Sequence, residues 1–235
     1  MFAALSHPED VHPSLWRGSQ LARGSLRTVD TGYAALSAEL PGGGWPLGAL
    51  VDLLIQQPGV GEMRLLRPVL AAQGRRPIAL VQPPHVPNGP AFAYLDVPLE
   101  QLIQVRAAKM PDALWSAEQM LRAGTCGVVL FWAQQVQTAS LRRLHLAAQS
   151  SDTLFVMVRP LAAAQQASPA LLRLAVRPAD DGISVDIVKR RGPTRAEALS
   201  IPLHPSPILF SRHARISRRQ TVPTPAGGIP AEVVA

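Results

Sequence analysis

Seven consecutive β-capable residues, Ala49-Leu50-Val51-Asp52-Leu53-Leu54-Ile55, give way to a glycine-bearing turn and then to Leu65, Leu66, Val69 and Leu70 at helical spacing. A run this apolar has no face to turn to water, so it reads as a parallel strand buried between helices. The connecting segment, Gln56-Gln57-Pro58-Gly59-Val60-Gly61-Glu62-Met63, stands where a strand–loop–helix unit places a phosphate-binding loop. Such a loop needs a lysine after its last glycine to reach the β- and γ-phosphates, then a Ser or Thr hydroxyl for Mg²⁺. Here those places hold Glu62 and Met63, and Gln56 stands where the opening glycine belongs. A carboxylate in the place of the phosphate-contacting cation repels a triphosphate. Either the loop has lost nucleotide chemistry, or it is an ordinary glycine-containing turn.

The alternation continues along the chain. Pro77–Gln82, Gly127–Phe131 and Asp152–Val158 read as further strands, with helical segments at Asp112–Gly124 and Leu141–Leu144. This order predicts an α/β fold whose mostly parallel sheet is covered on both faces. Beyond Arg159 the pattern changes. Ala162 to Ser168 reads as a mobile loop of small residues, without a basic side chain for DNA phosphates. Leu171–Arg177 and Ile183–Lys189 alternate like paired antiparallel strands around the turn residues Asp180-Asp181-Gly182, and Glu197–Leu203 is expected to close the sheet.

These segments carry a resemblance. Thr28–Leu36, followed by Leu40-Pro41-Gly42-Gly43-Gly44-Trp45-Pro46-Leu47-Gly48, is similar to the approach to the RecA ATPase core, where a glycine-rich turn delivers the first core strand. The resemblance implies a RecA-like three-layer domain with antiparallel strands at its C-terminal edge. It also implies that catalysis is lost: Pro84, before His85, stands at the catalytic glutamate position, Trp132 stands at the Mg²⁺-binding aspartate position, and the γ-phosphate-sensing glutamine is missing near Val158. No cofactor is expected. His12-Pro13-Ser14-Leu15-Trp16-Arg17-Gly18-Ser19-Gln20-Leu21, together with Glu39–Pro46, narrows the resemblance to the ImuA family of RecA-like accessory proteins in mutagenic translesion synthesis, grouped with SulA in a wider superfamily. It covers roughly residues 10–205.

What this resemblance implies is a non-catalytic adaptor of the SOS response. Its partners would be an ImuB-like polymerase subunit and, through it, an error-prone C-family DNA polymerase, with RecA and single-stranded DNA as further candidates. Two other functions stay open. One is a DNA-stimulated ATPase with an unorthodox site, in which Arg64, or Arg190 or Arg191 of a neighbouring subunit, replaces the missing lysine. The other is a SulA-like division inhibitor that binds FtsZ.

Composition sets the remaining limits. At 235 residues and 47% hydrophobic content, the chain can bury one sizeable α/β core. Its apolar runs fall far short of the ~20 residues that span a bilayer, and its first residues offer no basic segment of a secretory signal, so a cytoplasmic protein is expected. The lone Cys126 has no internal disulfide partner, and six scattered histidines make no zinc spacing. A net charge of +7 points to an anionic partner, or simply to an arginine-rich composition, since only Lys109 and Lys189 of the 23 basic residues are lysines.

Three regions follow: an N-terminal arm (1–40), a core with a degenerate phosphate loop (41–203) and a Pro/Arg-rich tail (204–235) expected to be disordered. Lys189, Arg190 and Arg191 end a strand in a basic cluster, either a solvated strand end or a contact for a protomer, RecA or phosphate backbone. In the tail, Phe210, Arg212, Arg215, Arg218 and Arg219 combine an apolar anchor with charge and are candidates for partner or DNA binding.

Overall fold

The computed structural model describes residues 27–192 and 197–203. Two short strands, β1 (Thr28–Val29) and β2 (Trp45–Pro46), pair antiparallel ahead of the main sheet. Its strands are β3 (Ala49–Ile55), β4 (Ile78–Val81), β5 (Leu102–Val105), β6 (Val128–Trp132), β7 (Leu154–Pro160), β8 (Leu172–Ala179), β9 (Gly182–Lys189) and β10 (Leu199–Pro202). They lie in the order β10-β9-β8-β3-β7-β6-β4-β5. Every pairing from β8 to β5 is parallel, and β9 and β10 add antiparallel strands at one edge. The expected mixed α/β fold, with a large and mostly parallel sheet, is therefore present.

The helices are α1 (Ala34–Glu39), α2 (Glu62–Ala71), α3 (Gly89–Tyr94), α4 (Met110–Ala123) and α5 (Thr138–Ala148). Strand pleating decides which of them each residue meets. Val51, Leu53 and Ile55 of β3 pack with Leu65, Leu66, Val69 and Leu70 of α2. Leu50, on the opposite face, packs with Leu114 and Leu121 of α4 and Leu141 and Leu144 of α5. All seven residues of β3 are buried, as its apolar pattern requires, and Asp52 is buried with them. Each buried leucine or valine contributes about 1.5–3 kcal/mol, so this central strand anchors both layers.

Two expectations need correction. The region assigned to the arm ends inside the packed core, because Leu36 and Leu40 are buried in the α2-side cluster. The segment read as a mobile loop forms instead a 3₁₀ turn, Leu161–Gln165, and Ala163 is buried against Leu54 and Ala175. Residues 1–26 of the arm lie outside the described residues, as does the whole tail from 204, with Phe210, Arg212, Arg215, Arg218 and Arg219. Among the described residues no helix is long and apolar enough to cross a membrane.

Candidate functional site

The loop after β3 is shaped by two glycines with left-handed φ, +92° at Gly59 and +122° at Gly61. Such angles strain any residue with a Cβ. Gly61 is also hemmed in: a Cβ there would lie 2.9 Å from Ile183 Cγ2 and 2.9 Å from Leu203 Cδ1. The turn aims backbone N–H groups at a common point, as an anion-binding nest does. Glu62 fills it. Its carboxylate accepts from the Gly59 amide at 2.8 and 3.1 Å and from the Gly61 amide at 3.2 Å, and the residue is only 4% exposed. The sequence suggested that Glu62 would repel an incoming phosphate; the geometry adds that its own carboxylate takes the donors a phosphate would use, beside the positive end of α2.

The parallel strands β3, β4, β6 and β7 end together, and beyond their C-terminal ends lies a cavity of about 360 Å³. Of the residues singled out from sequence, Gln56, Pro84 and Trp132 line it. Gly59, Gly61, Glu62 and Met63 do not, and Met63 packs against the core on the α2 side. The lining also includes Gln57 and Pro58 of the same loop segment, and Gln82, Gln134, Gln135, Met110 and Arg159, which sequence reasoning missed. Gln82 has a left-handed φ of +51°. Its amide is clamped, donating to the Ala107 carbonyl at 2.7 Å and accepting from the Ala107 amide at 3.3 Å. A clamp of this kind holds a sparsely populated backbone conformation in place. No residue lining the cavity carries a carboxylate, imidazole, thiol or hydroxyl, so the wall offers amide hydrogen bonds and apolar surface without an acid–base pair.

Beside the cavity floor lies a buried ionic cluster. Register puts Asp52 of β3 opposite Arg173 of β8 and Met157 of β7, two residues before Arg159. Arg173 Nε donates to Asp52 Oδ2 at 3.0 Å, and its other nitrogens donate to the carbonyls of Ala163, Ala164 and Gln166 at 2.7, 3.2 and 3.1 Å. Arg159 is 1% exposed; its Nη2 donates to Gln166 Oε1 at 2.6 Å, and its Nη1 lies 3.5 Å from Asp52 Oδ2. The signal that could have found this cluster is a charge inside an apolar run: Asp52 in β3, and Arg173 in β8.

The basic cluster that ends β9 is divided. Arg190 is largely buried and bonds to Glu39, with Nη1 2.9 Å from its carboxylate, while Lys189 Nζ donates to the Ser168 carbonyl at 3.1 Å. Arg191 is exposed. Away from the cavity, His145 of α5 accepts from the Leu50 amide through Nδ1 at 3.2 Å, and burial, aided by Lys189, holds its pKa below the usual range. Burial pushes the Cys126 thiol up, as suits a core cysteine. Among the described residues no group of three or more His, Cys, Asp or Glu could hold a metal ion.

No family model matches the chain. It is similar to the cell division inhibitor SulA of Edwardsiella piscicida, 32% identical over 76 residues, which is 32% of this chain and 45% of that protein. The chain thus covers less than half the length of that relative. The solved structure of SulA from Pseudomonas aeruginosa matches with a TM-score of 0.40 and 23% identity, over 47% of this chain and 97% of that one. The chain is weakly homologous to SulA over about a third of its length.

Proposed function

We propose that this chain is a RecA-like adaptor without catalysis, of the ImuA type, that works in SOS-induced translesion synthesis by binding an ImuB-like polymerase subunit. An error-prone C-family polymerase is reached through that subunit, and RecA and single-stranded DNA are further candidate partners. The observation that carries the reading is Glu62, whose carboxylate takes the Gly59 and Gly61 amides that a nucleotide phosphate would need. The similarity to SulA supports a connection to the SOS response. Recruitment falls to Lys189 and Arg191 on the core and to Phe210, Arg212, Arg215, Arg218 and Arg219 in the tail; Arg190 is already engaged by Glu39. Calorimetry with Mg·ATP tests the loss of nucleotide chemistry, and no heat of binding is expected. Micromolar binding that disappears in Glu62→Ala would sink the adaptor reading and favour an unorthodox ATPase.

A second reading draws on the same similarity: division inhibition by binding FtsZ. Sedimentation of FtsZ polymers with and without the protein separates the two. Loss of polymer at stoichiometric protein would favour inhibition; unchanged sedimentation favours the adaptor.

A further inference from the structure

Strand β5 ends the sheet on one side. It pairs in parallel with β4, and among the described residues no strand lies along its other side. The Val105 carbonyl accepts from the Gln82 amide at 2.8 Å, so the backbone of Val105, and of Ile103 two positions earlier, is turned towards β4. The N–H and C=O groups of Leu102 and Gln104 therefore face outward along an open edge. Such an edge is a template for another strand, and proteins blunt it with proline, charge or a bulge. The opposite edge has this protection, since β10 carries Pro202. β5, Leu102-Ile103-Gln104-Val105, has neither proline nor charge, its register with β4 is regular, and Ile103 is 40% exposed.

We propose that β5 pairs antiparallel with β5 of a second copy of this chain, about a two-fold axis at Ile103. A two-fold contact needs a surface that is complementary to itself. The outward backbone groups of Leu102 and Gln104 flank Ile103 symmetrically, so each Leu102 meets the second copy's Gln104 and exchanges N–H···O bonds with it. The two Ile103 side chains then stand opposite each other at a position without such bonds, where cross-strand side chains come closest. Charge favours the same arrangement. Glu100 precedes the strand and Arg106 follows it, equally far from Ile103 in sequence, and both are exposed. Antiparallel pairing brings each Glu100 towards the second copy's Arg106, whereas parallel pairing would set acid beside acid. Arg106 commits Nη2 to the Pro83 carbonyl at 3.1 Å, and a guanidinium has donors to spare for a carboxylate as well. Another extended peptide could answer the backbone groups, but only a second copy returns Ile103 to Ile103 and Glu100 to Arg106. The strand is short and so small an interface associates weakly, so a monomer–dimer equilibrium in the micromolar range is expected. The proposal goes beyond the adaptor reading and does not depend on it.

The test is sedimentation equilibrium of the full chain across the micromolar range, with far-UV circular dichroism to check folding. Mass is expected to rise with concentration from monomer to dimer and to stop there, because a two-fold contact closes on itself. Gln104→Pro removes an N–H on the open edge and should weaken the dimer roughly 10- to 100-fold, since the lost hydrogen bond occurs twice. Ile103→Lys sets like charges face to face and should weaken it as well. Glu100→Arg and Arg106→Glu should each weaken it several-fold, and the double exchange should restore it, which reads out direction and register together. Ile103→Cys adds a chemical readout: Cα atoms opposite each other at such a position are about 4.5 Å apart, within the span of a disulfide. It should cross-link on mild oxidation, whereas Gln104→Cys should not; the natural Cys126 is buried. If Gln104→Pro fails to fold, the charge exchange decides, because it alters only exposed side chains. A monomer at every concentration, growth beyond the dimer, a dimer indifferent to these variants, or a double exchange as weak as the single ones would overturn the proposal. No nucleotide, DNA or polymerase subunit enters this test, so its failure leaves the proposed function standing.

Discussion

Replacing Glu62 with alanine removes the acceptor for two backbone amides, those of Gly59 and Gly61, at a helix N-terminus. A hydrogen bond to a charged acceptor contributes about 1.5–3 kcal/mol when both partners are shielded from water. The dipole of α2 adds about 0.3–1 kcal/mol for a negative charge in its first turn. Against this, Gly59 is exposed, so its amide can turn to water once the carboxylate is gone. The net loss is therefore expected to be about 2 kcal/mol, below the sum of the separate contributions. For a core of this size, a loss of 1 kcal/mol lowers Tm by about 2–4 °C, so Glu62→Ala should melt about 4–8 °C lower. Glu62→Gln keeps one oxygen acceptor without the charge and should lose about half as much. Scanning calorimetry at pH 7, with urea denaturation as a second probe, measures both. An alanine variant within about 0.5 kcal/mol of the wild type would show that the carboxylate is not seated on those amides, and the account of the loop would fall with it.

Gly61→Ala should cost more than Gly59→Ala: both demand a left-handed φ, but only at Gly61 does a new Cβ meet Ile183 and Leu203, and equilibrium urea melts should separate the pair by about 1 kcal/mol or more. His145, held below its usual pKa by burial, is protonated more readily in the unfolded chain. Its contribution to stability is therefore intact above pH ~6.5 and falls as pH drops from there towards the folded pKa. The stability difference between wild type and His145→Gln should shrink between pH 7 and pH 5, and a difference constant across that range would count against the Leu50 contact. Ending the chain before Ser206 should leave the unfolding of the core nearly unchanged while weakening capture of an ImuB-like partner; unchanged capture would move the search to Lys189 and Arg191.

Where local sequence decides the outcome, the sequence alone was informative. The apolar run at Ala49–Ile55 has only one way to be covered, and Asp180-Asp181-Gly182 supplies the turn that pairs β8 with β9. What escaped depends on register between distant strands. Asp52 and Arg173 are 121 residues apart, and only the parallel pairing of β3 with β8 makes one the answer to the other. Glu62 could be read as a misplaced charge, but its capture by Gly59 and Gly61 follows from backbone angles that the sequence only permits. The 3₁₀ turn at Leu161–Gln165 was misread because small residues look unanchored until the Arg173 side chain binds their carbonyls. Arg159 was legible only as the residue that ends an apolar run; its place on the cavity depends on where four strands stop together.

The position of β3 at the centre of the sheet also sets an order of events for the nascent chain. Among the described residues it is the first long strand to be synthesised, yet both of its neighbours, β7 and β8, lie in the last third of the described sequence. Until Leu154–Pro160 has emerged, this largely apolar segment has neither of its neighbouring strands to pair with. Sheets closed by contacts this remote in sequence form slowly, because loop closure must precede any gain from pairing. During translation the chain must therefore keep Ala49–Ile55 shielded by provisional contacts, with α2 the nearest available cover, and synthesis halted before β8 would leave its most apolar strand with one side open.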